Sequence, residues 1–339
     1  MILYVTEQGA TIKHSAGRIV VRREDRVLTD VPDFKLEQIV TFGNINLTPG
    51  LMAYCFQQGI DVAFLSSNGK YRGRLQPELT KNVVLRMKQF EKLMQPEFSR
   101  LNAASIVSGK LNSMLAMIRQ QRRLQTAQRS PATELETILQ KVPTARNFES
   151  LNGLEGSATA AYFRAFKAAL KEDWGFATRQ YHPAPDPVNA LLSLGYTLLH
   201  NNLYAAINIV GLDPFLGTYH RPRQGHAALA SDLMEEYRCV LVDRIVLDAL
   251  NLRILQQRDF VKTPDGQLRL VPDALKRFLA LYAAQLNEEV VYPAPAHHTN
   301  WRTNWRQVIE LQVRQFARVV VGDEKVYQPF HGEMVVSGR

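Results

Sequence analysis

The chain has 339 residues, of which 46% are hydrophobic and 22% are charged. This composition is typical of folded globular proteins and excludes a chain that is largely disordered. Lys and Arg number 41 against 32 Asp and Glu, and the resulting formal charge of +9 suits a polyanionic partner, although many unrelated proteins are equally basic.

Two features of the sequence bear on where the protein works. Its two cysteines, Cys55 and Cys239, lie far apart among apolar or helical residues, which excludes a disulfide framework and favours two reduced thiols. The N-terminus has no basic start followed by an apolar stretch, and no run of about eighteen apolar residues occurs. We therefore expect a cytoplasmic protein that makes no use of a membrane.

Residues 1–76 predict a domain that is mostly β-structure. Short apolar or β-branched segments separated by turn residues predict its strands. These segments are Ile2–Val5, Arg18–Arg22, Arg26–Leu28, Gln38–Phe42, Ile60–Leu65 and Tyr71–Leu75. Thr48 and Pro49 are suited to the N-cap and first turn of a short amphipathic helix, which Gly59 would end.

From about residue 77 the pattern changes to helical spacing. Apolar residues recur three and four apart, as in Leu79–Leu93 and Ala103–Gln125. Prolines then mark loops between helices, and no internal repeat is found. We predict an α+β protein in which residues 77–339 form a larger all-α domain, with a loop-rich tail after about residue 321.

Three polar sites in the helical region are candidates for chemistry. Glu155 opens a predicted helix, where a carboxylate often only complements the helix dipole. His220 ends a loop that Gly and Asp-Pro keep out of helical conformation, although a lone histidine is usually a plain hydrogen-bonding residue. Asp232 and Glu235 are three apart and share one side of a predicted helix, a spacing that is also common on solvated faces.

Carboxylates combined with one imidazole suit Mg or Mn as ligands. Zinc usually recruits more His or Cys, and neither cysteine lies at a ligand spacing. Such an ion would orient a hydroxyl nucleophile and stabilise charge on a phosphate, so phosphoryl transfer is the natural chemistry. Arg221 and Arg223 directly follow His220 and are suited to holding the flanking phosphates, or form a basic loop in water.

Four motifs in this order resemble those of the CRISPR-associated integrase family, the larger and catalytic subunit of the spacer-acquisition complex. They are Leu154-Glu155-Gly156 with Tyr162-Phe163, Asp186–Leu192 with Gly195-Tyr196, Gly211–Pro214 leading to His220, and Asp232–Arg238. The resemblance covers nearly the whole chain and departs at Cys239, where many members carry Pro. It implies that Glu155, His220 and Glu235 are metal ligands and that Asp232 is an additional acidic catalytic residue.

The resemblance also implies a fold, partners and a reaction. The N-terminal domain would be β-sandwich-like, and the protein would be a homodimer that assembles with the small partner subunit of the adaptation complex. With Mg or Mn, the 3′-hydroxyl of a short DNA duplex would attack a phosphodiester of the CRISPR repeat. Two alternatives stay open: a non-catalytic DNA-binding scaffold, and an unrelated metal-dependent nuclease of branched DNA.

Several basic residues are candidates for contacts with DNA. Arg119, Arg122 and Arg123 belong to the densest basic run and share one side of a predicted helix, where they are suited to neutralising phosphates. A solvated helix face is an equally good interpretation of this run. Arg86 and Lys110, on other predicted helices, are further candidates.

Overall fold

The structure is a computed structural model that describes residues 1–76, 82–120, 131–180, 184–263, 266, 268–292 and 301–330. Within these ranges the strands are β1 (Ile2–Val5), β2 (Thr11–Ser15), β3 (Arg18–Arg23), β4 (Arg26–Pro32), β5 (Gln38–Phe42), β6 (Asn46–Leu47), β7 (Asp61–Leu65), β8 (Tyr71–Leu75), β9 (Phe260–Lys262), β10 (Leu268–Leu270), β11 (Glu289–Tyr292) and β12 (Trp301–Asn304). The helices are α1 (Pro49–Gln58), α2 (Val83–Leu93), α3 (Pro96–Gln120), α4 (Pro131–Lys141), α5 (Phe148–Ala169), α6 (Pro187–Val210), α7 (Ala228–Met234), α8 (Arg244–Asn251), α9 (Pro272–Asn287) and α10 (Trp305–Val321).

The N-terminal region consists of two four-stranded sheets, ordered β1-β5-β7-β8 and β4-β3-β2-β6. Apolar residues of both sheets, including Ile12, Ile19 and Val62, form a core of their own. The side chain of Thr48 accepts a hydrogen bond from the amide of Leu51 and so caps α1. The sandwich-like arrangement with one short helix confirms the prediction.

The first sheet also faces the helical region. Every residue of β5 is buried because both faces of this strand are covered. Phe42 and Leu65 belong to the large core of the helices. At the sheet edge, Arg74 pairs with Asp61 at 3.0 Å and donates to the side chain of Asn201 on α6 at 2.7 Å. The sheet is therefore fixed against the helix that leads to the candidate site.

The long helices α3, α5 and α6 position the candidate site. Asp186 caps α6 by accepting from the amide of Asn189 at 2.8 Å, and Gly211 ends this helix with a φ of 96°. Among the described helices, none combines the length and the apolar character that crossing a membrane requires. Structure changes from strand to helix between Leu75 and Val83, and the division into two domains near residue 76 stays a prediction.

The prediction that the C-terminal region is all-α is wrong in one detail. Two antiparallel hairpins interrupt the helices, one formed by β9 with β10 and the other by β11 with β12. Their strands have three or four residues each. A segment of this length shows too few alternations for a period of two to be recognised.

Residues 322–330, the described part of the predicted tail, contain no helix or strand, but they are not loose. Tyr327 and Phe330 are almost completely buried. The amide of Tyr327 donates to the side chain of Asn102 on α3 at 3.0 Å, and its hydroxyl donates to Glu236. Residues 323–330 therefore form part of the packing behind α7.

Candidate metal centre

Glu155 lies well inside α5. Asn147 caps this helix by accepting from the amide of Ser150 at 2.8 Å, so the expectation that Glu155 opens the helix is wrong. The carboxylate accepts from the hydroxyl of Thr159 at 2.9 Å and from the ammonium of Lys110. The carboxylate cannot act as a helix-dipole partner this far from the N-terminus, because that effect is confined to the first turn.

Glu235 directly follows α7 and is buried. One oxygen, Oε1, lies 3.0 Å from a guanidinium nitrogen of Arg238 and 3.9 Å from Nε2 of His220. The other oxygen, Oε2, lies 2.7 Å from the ammonium of Lys110. Burial raises the pKa of Glu235, but the charges of Arg238, Lys110 and His220 outweigh burial and lower the pKa to about 2. The group is therefore an ionised carboxylate at neutral pH.

Asp232 is completely buried and organises the loop that carries His220. Its Oδ2 accepts from the amides of Thr218 and Tyr219 at 2.5 and 2.9 Å. Its Oδ1 accepts from the amide of His220 at 2.8 Å and lies 2.7 Å from Nδ1 of the same residue. All these groups surround one carboxylate, so Asp232 lies behind His220 instead of facing the other two acids.

The ring of His220 is consequently fixed in orientation. Its Nδ1 is directed to Asp232, which leaves Nε2 on the side of Glu235. Burial lowers the pKa of His220, but the hydrogen bond and the charge of Asp232 outweigh burial and raise it. Gly217 permits this arrangement, since a Cβ there would lie 2.7 Å from Oδ2 of Asp232 and 2.8 Å from the carbonyl carbon of Ala228.

Lys110 is the residue on which the structure differs most from expectation. Its side chain is only 8% exposed and forms ion pairs with Glu155 and with Glu235. Burial lowers the pKa of Lys110, but these two carboxylates outweigh burial and raise it. Lys110 therefore does not lie at the surface, because its ammonium is enclosed between the two acids, and a contact of Lys110 with DNA stays a prediction.

Two of the three predicted ligands, Glu155 and Glu235, thus enclose one cationic group, and Nε2 of His220 lies 3.9 Å from Glu235. In the described part of the chain, no three His, Cys, Asp or Glu side chains are grouped tightly enough to hold a metal without rearrangement. The ammonium of Lys110 lies between Glu155 and Glu235, where a shared ion would be needed. Two carboxylates and one imidazole nitrogen are a donor set that fits Mg or Mn.

The remaining predicted DNA contacts lie in different settings. Arg221 and Arg223 are exposed on the loop after His220. Arg119 is half exposed and pairs with Glu136 at 2.9 Å. Arg86 is partly buried on α2. The predicted residues Arg122 and Arg123 lie outside the described residues.

A cavity of about 470 Å³ lies beside the site, and the sequence analysis did not predict it. It is lined by cationic and aromatic side chains that contact each other: Arg74 stacks on Tyr204 at 3.5 Å, and Arg179 and Arg238 lie 5.3 and 4.9 Å from the ring of Tyr196. The spacing of Arg238, three residues after Glu235, was the signal that could have identified it as the partner of this acid.

Comparison with known proteins identifies relatives of this chain. Residues 3–284 match the sequence model of a family described as CRISPR associated protein Cas1. The CRISPR-associated endonuclease Cas1 3 of Thermus thermophilus is 35% identical over 334 residues, which are 97% of this chain and 96% of that protein.

Solved structures share the fold. A chain of a Cas6-RT-Cas1–Cas2 complex matches with a TM-score of 0.83 and 25% identity over 98% of this chain, which spans only 36% of that longer chain. A casposase bound to integration product matches with a TM-score of 0.83 and 22% identity, covering 99% of this chain and 96% of the casposase. The family match and the relative from Thermus thermophilus together establish that this chain belongs to the CRISPR-associated Cas1 family.

Proposed function

We propose that this protein is a CRISPR-associated endonuclease and integrase that uses a divalent metal ion to join short DNA duplexes to a CRISPR array. One observation carries the proposal. Glu155 and Glu235 converge on one cationic position and Nε2 of His220 lies 3.9 Å from Glu235, in a chain whose relative in Thermus thermophilus is named an endonuclease. Acids and an imidazole arranged in this way suit phosphoryl transfer.

The chain's own residues would prepare the site for the ion. Glu155, Glu235 and Nε2 of His220 would hold Mg or Mn, which when bound orients a hydroxyl and stabilises charge on a phosphate. Asp232 is a positioning residue, because its contact with Nδ1 turns the ring so that Nε2 faces Glu235. Arg238 helps to keep Glu235 ionised.

The reaction proposed is transesterification. The 3′-hydroxyl of the incoming duplex forms a bond to a phosphorus atom of the repeat DNA, and the repeat strand leaves with its own 3′-hydroxyl. One phosphodiester bond forms and one breaks, and no covalent intermediate with the protein is needed. Attack by water at the same site would give the endonuclease reaction.

The surroundings of the site are suited to a DNA strand. The net charge of +9 favours a polyanion. The guanidinium groups and tyrosine rings of the 470 Å³ cavity would contact phosphates and bases. Arg221 and Arg223, exposed directly after His220, would hold the flanking phosphates. We extend the same proposal to Arg86, Arg119, Arg122 and Arg123.

The partners are proposed on the same basis. A longer chain that is 25% identical to this one over the matched part belongs to a structure named a Cas6-RT-Cas1–Cas2 complex. We infer that this protein acts as a homodimer together with a small Cas2-like subunit. The substrates would be duplex DNA with free 3′-hydroxyl ends and a DNA that carries a CRISPR repeat.

The test is joining of a labelled duplex with 3′-hydroxyl ends to a supercoiled plasmid that carries a CRISPR repeat, with Mn and the partner subunit present. His220→Ala is expected to abolish joining. His14→Ala is the matched control, since His14 also contacts a carboxylate, that of Asp33 at 2.8 Å, but lies in the N-terminal sandwich. The control is expected to join DNA as the wild type does.

The two alternatives predict other outcomes of this assay. A non-catalytic scaffold would bind the duplex tightly and give no joined product with the wild type. An unrelated nuclease would cut branched DNA without joining strands. Glu235 is buried and ionised beside an oriented histidine, which favours the catalytic protein over the non-catalytic scaffold. A buried charge is destabilising, and it is therefore not expected in a site that has lost its activity.

A further inference from the structure

The backbone of Lys110 is fixed while its ammonium is enclosed by two acids. It lies in the middle of α3, a helix whose residues from Ile106 to Ile118 are largely buried. The neighbouring Gly109 is so close to the tail that a Cβ would lie 2.4 Å from Pro329. Any movement of the ammonium must therefore come from rotation within the side chain.

The position of the ammonium coincides with that required of the metal. It contacts Oε1 of Glu155 and lies 2.7 Å from Oε2 of Glu235. Two carboxylates drawn out of water into one site repel each other and require a nearby cation. A metal ion bound to both carboxylates would need the space that the ammonium of Lys110 fills. The two cations cannot share this space, so the metal ion must displace the ammonium.

The structure offers the ammonium a place to go. A cavity of about 170 Å³ adjoins the site. Its lining includes Lys110, Glu155, Gly156 and Thr159, and also the acidic side chain of Asp243 and the basic side chains of Arg179 and Arg238. A Cβ at Gly156 would meet nothing within 4 Å. A lysine side chain is long and flexible enough to move its ammonium into such a space without moving the helix.

We propose that Lys110 is a built-in counter-ion that competes with the divalent metal for Glu155 and Glu235 and withdraws into the neighbouring cavity when the metal binds. This inference rests on the proposed metal site. Lys110 is a positioning residue in this role, because it acts through the two carboxylates. It holds the acids together in the metal-free protein and weakens metal binding, since only the fraction of molecules with a withdrawn ammonium can accept the ion.

The first test is a calorimetric titration of the full-length protein with Mn in the absence of DNA. Lys110→Met keeps the length of the side chain and removes its charge, and it is expected to bind Mn about tenfold more tightly than the wild type. Lys167→Met is the matched control, since Lys167 is an exposed lysine near the end of the same helix as Glu155. The control should bind like the wild type.

A second variant tests the cavity itself. Gly156→Leu would fill the cavity into which the ammonium withdraws, and it replaces a helical glycine by a better helix former. It is expected to weaken Mn binding when Lys110 is present and to have no effect in the Lys110→Met background. Equal effects in both backgrounds would contradict the withdrawal of Lys110.

Glu235→Gln separates failure of this inference from failure of the proposed metal site. Binding of Mn that depends on Glu235, with Lys110→Met no tighter than the wild type, overturns the role of Lys110 and leaves the metal site standing. Binding that is absent, or unaffected by Glu235→Gln, overturns the metal site itself. Tighter binding by Lys110→Met that Glu235→Gln abolishes supports both.

Discussion

Asp232→Asn tests how much of the site depends on one carboxylate. The carboxylate of Asp232 accepts hydrogen bonds from the amides of Thr218, Tyr219 and His220. It also contacts Nδ1 of the His220 ring. An Asn side chain offers a single acceptor oxygen and directs an amino group at donors. Two hydrogen bonds to a buried charge are lost, and at about 1.5 kcal/mol or more each they amount to roughly 3 kcal/mol.

Hydrogen exchange of the backbone amides of residues 218–220, followed by mass spectrometry, measures this loss where it occurs. A loss of roughly 3 kcal/mol corresponds to about a hundredfold faster exchange. Asp213→Asn is the control, since its side chain accepts a single amide, that of Phe215 at 2.8 Å, and an amide oxygen can replace it. Joining should fall with Asp232→Asn because the loop that carries His220 loses part of the contacts that fix it. Unchanged exchange together with unchanged joining would refute the role given to Asp232.

Two further predictions follow from contacts around the site. Gly217→Ala should lower joining at least tenfold and leave the N-terminal sandwich intact, because the new Cβ would overlap Asp232 and the backbone of Ala228. Gly153→Ala is the control and should join DNA normally, since a Cβ there would meet nothing within 4 Å. Equal activity of both variants would contradict this prediction. Burial raises the pKa of Glu236 in the folded protein to about 8, whereas the pKa in the unfolded chain is near 4.5. Glu236 therefore contributes its full stability below about pH 4.5. This stability is lost as the pH rises towards 8, because the unfolded chain releases the proton first. Glu236→Gln should therefore gain stability relative to the wild type between about pH 5 and pH 8 in thermal unfolding, and a difference that does not change with pH would contradict this.

The sequence predicted those parts of the site that depend on local chemistry. A Thr-Pro start and a glycine end identified α1. The three-residue spacing of Asp232 and Glu235 placed both acids near one helix. The predicted start of α5 near Glu155 lies too late in the chain, because Asn147 caps the helix and the helical residues begin at Phe148.

What the sequence could not predict depends on contacts between distant elements. Lysine is almost never fully buried unless it is paired, so a lysine on a helix is expected to be exposed. The partners of Lys110 lie 45 and 125 positions along the chain, and only the packing of α3 against α5 and α7 brings them together. The spacing also placed Asp232 and Glu235 on one side of a helix, whereas the fold directs Asp232 to the loop and Glu235 to the shared cationic position.

The central claim is that Glu155, Glu235 and His220 share one ion. Anomalous X-ray diffraction from crystals of the full-length protein grown with Mn tests it most directly. The account predicts one Mn peak within about 2.5 Å of an oxygen of each acid and of Nε2 of His220, with the ammonium of Lys110 displaced. A fully bound Mn elsewhere, with Lys110 still between Glu155 and Glu235, would contradict it.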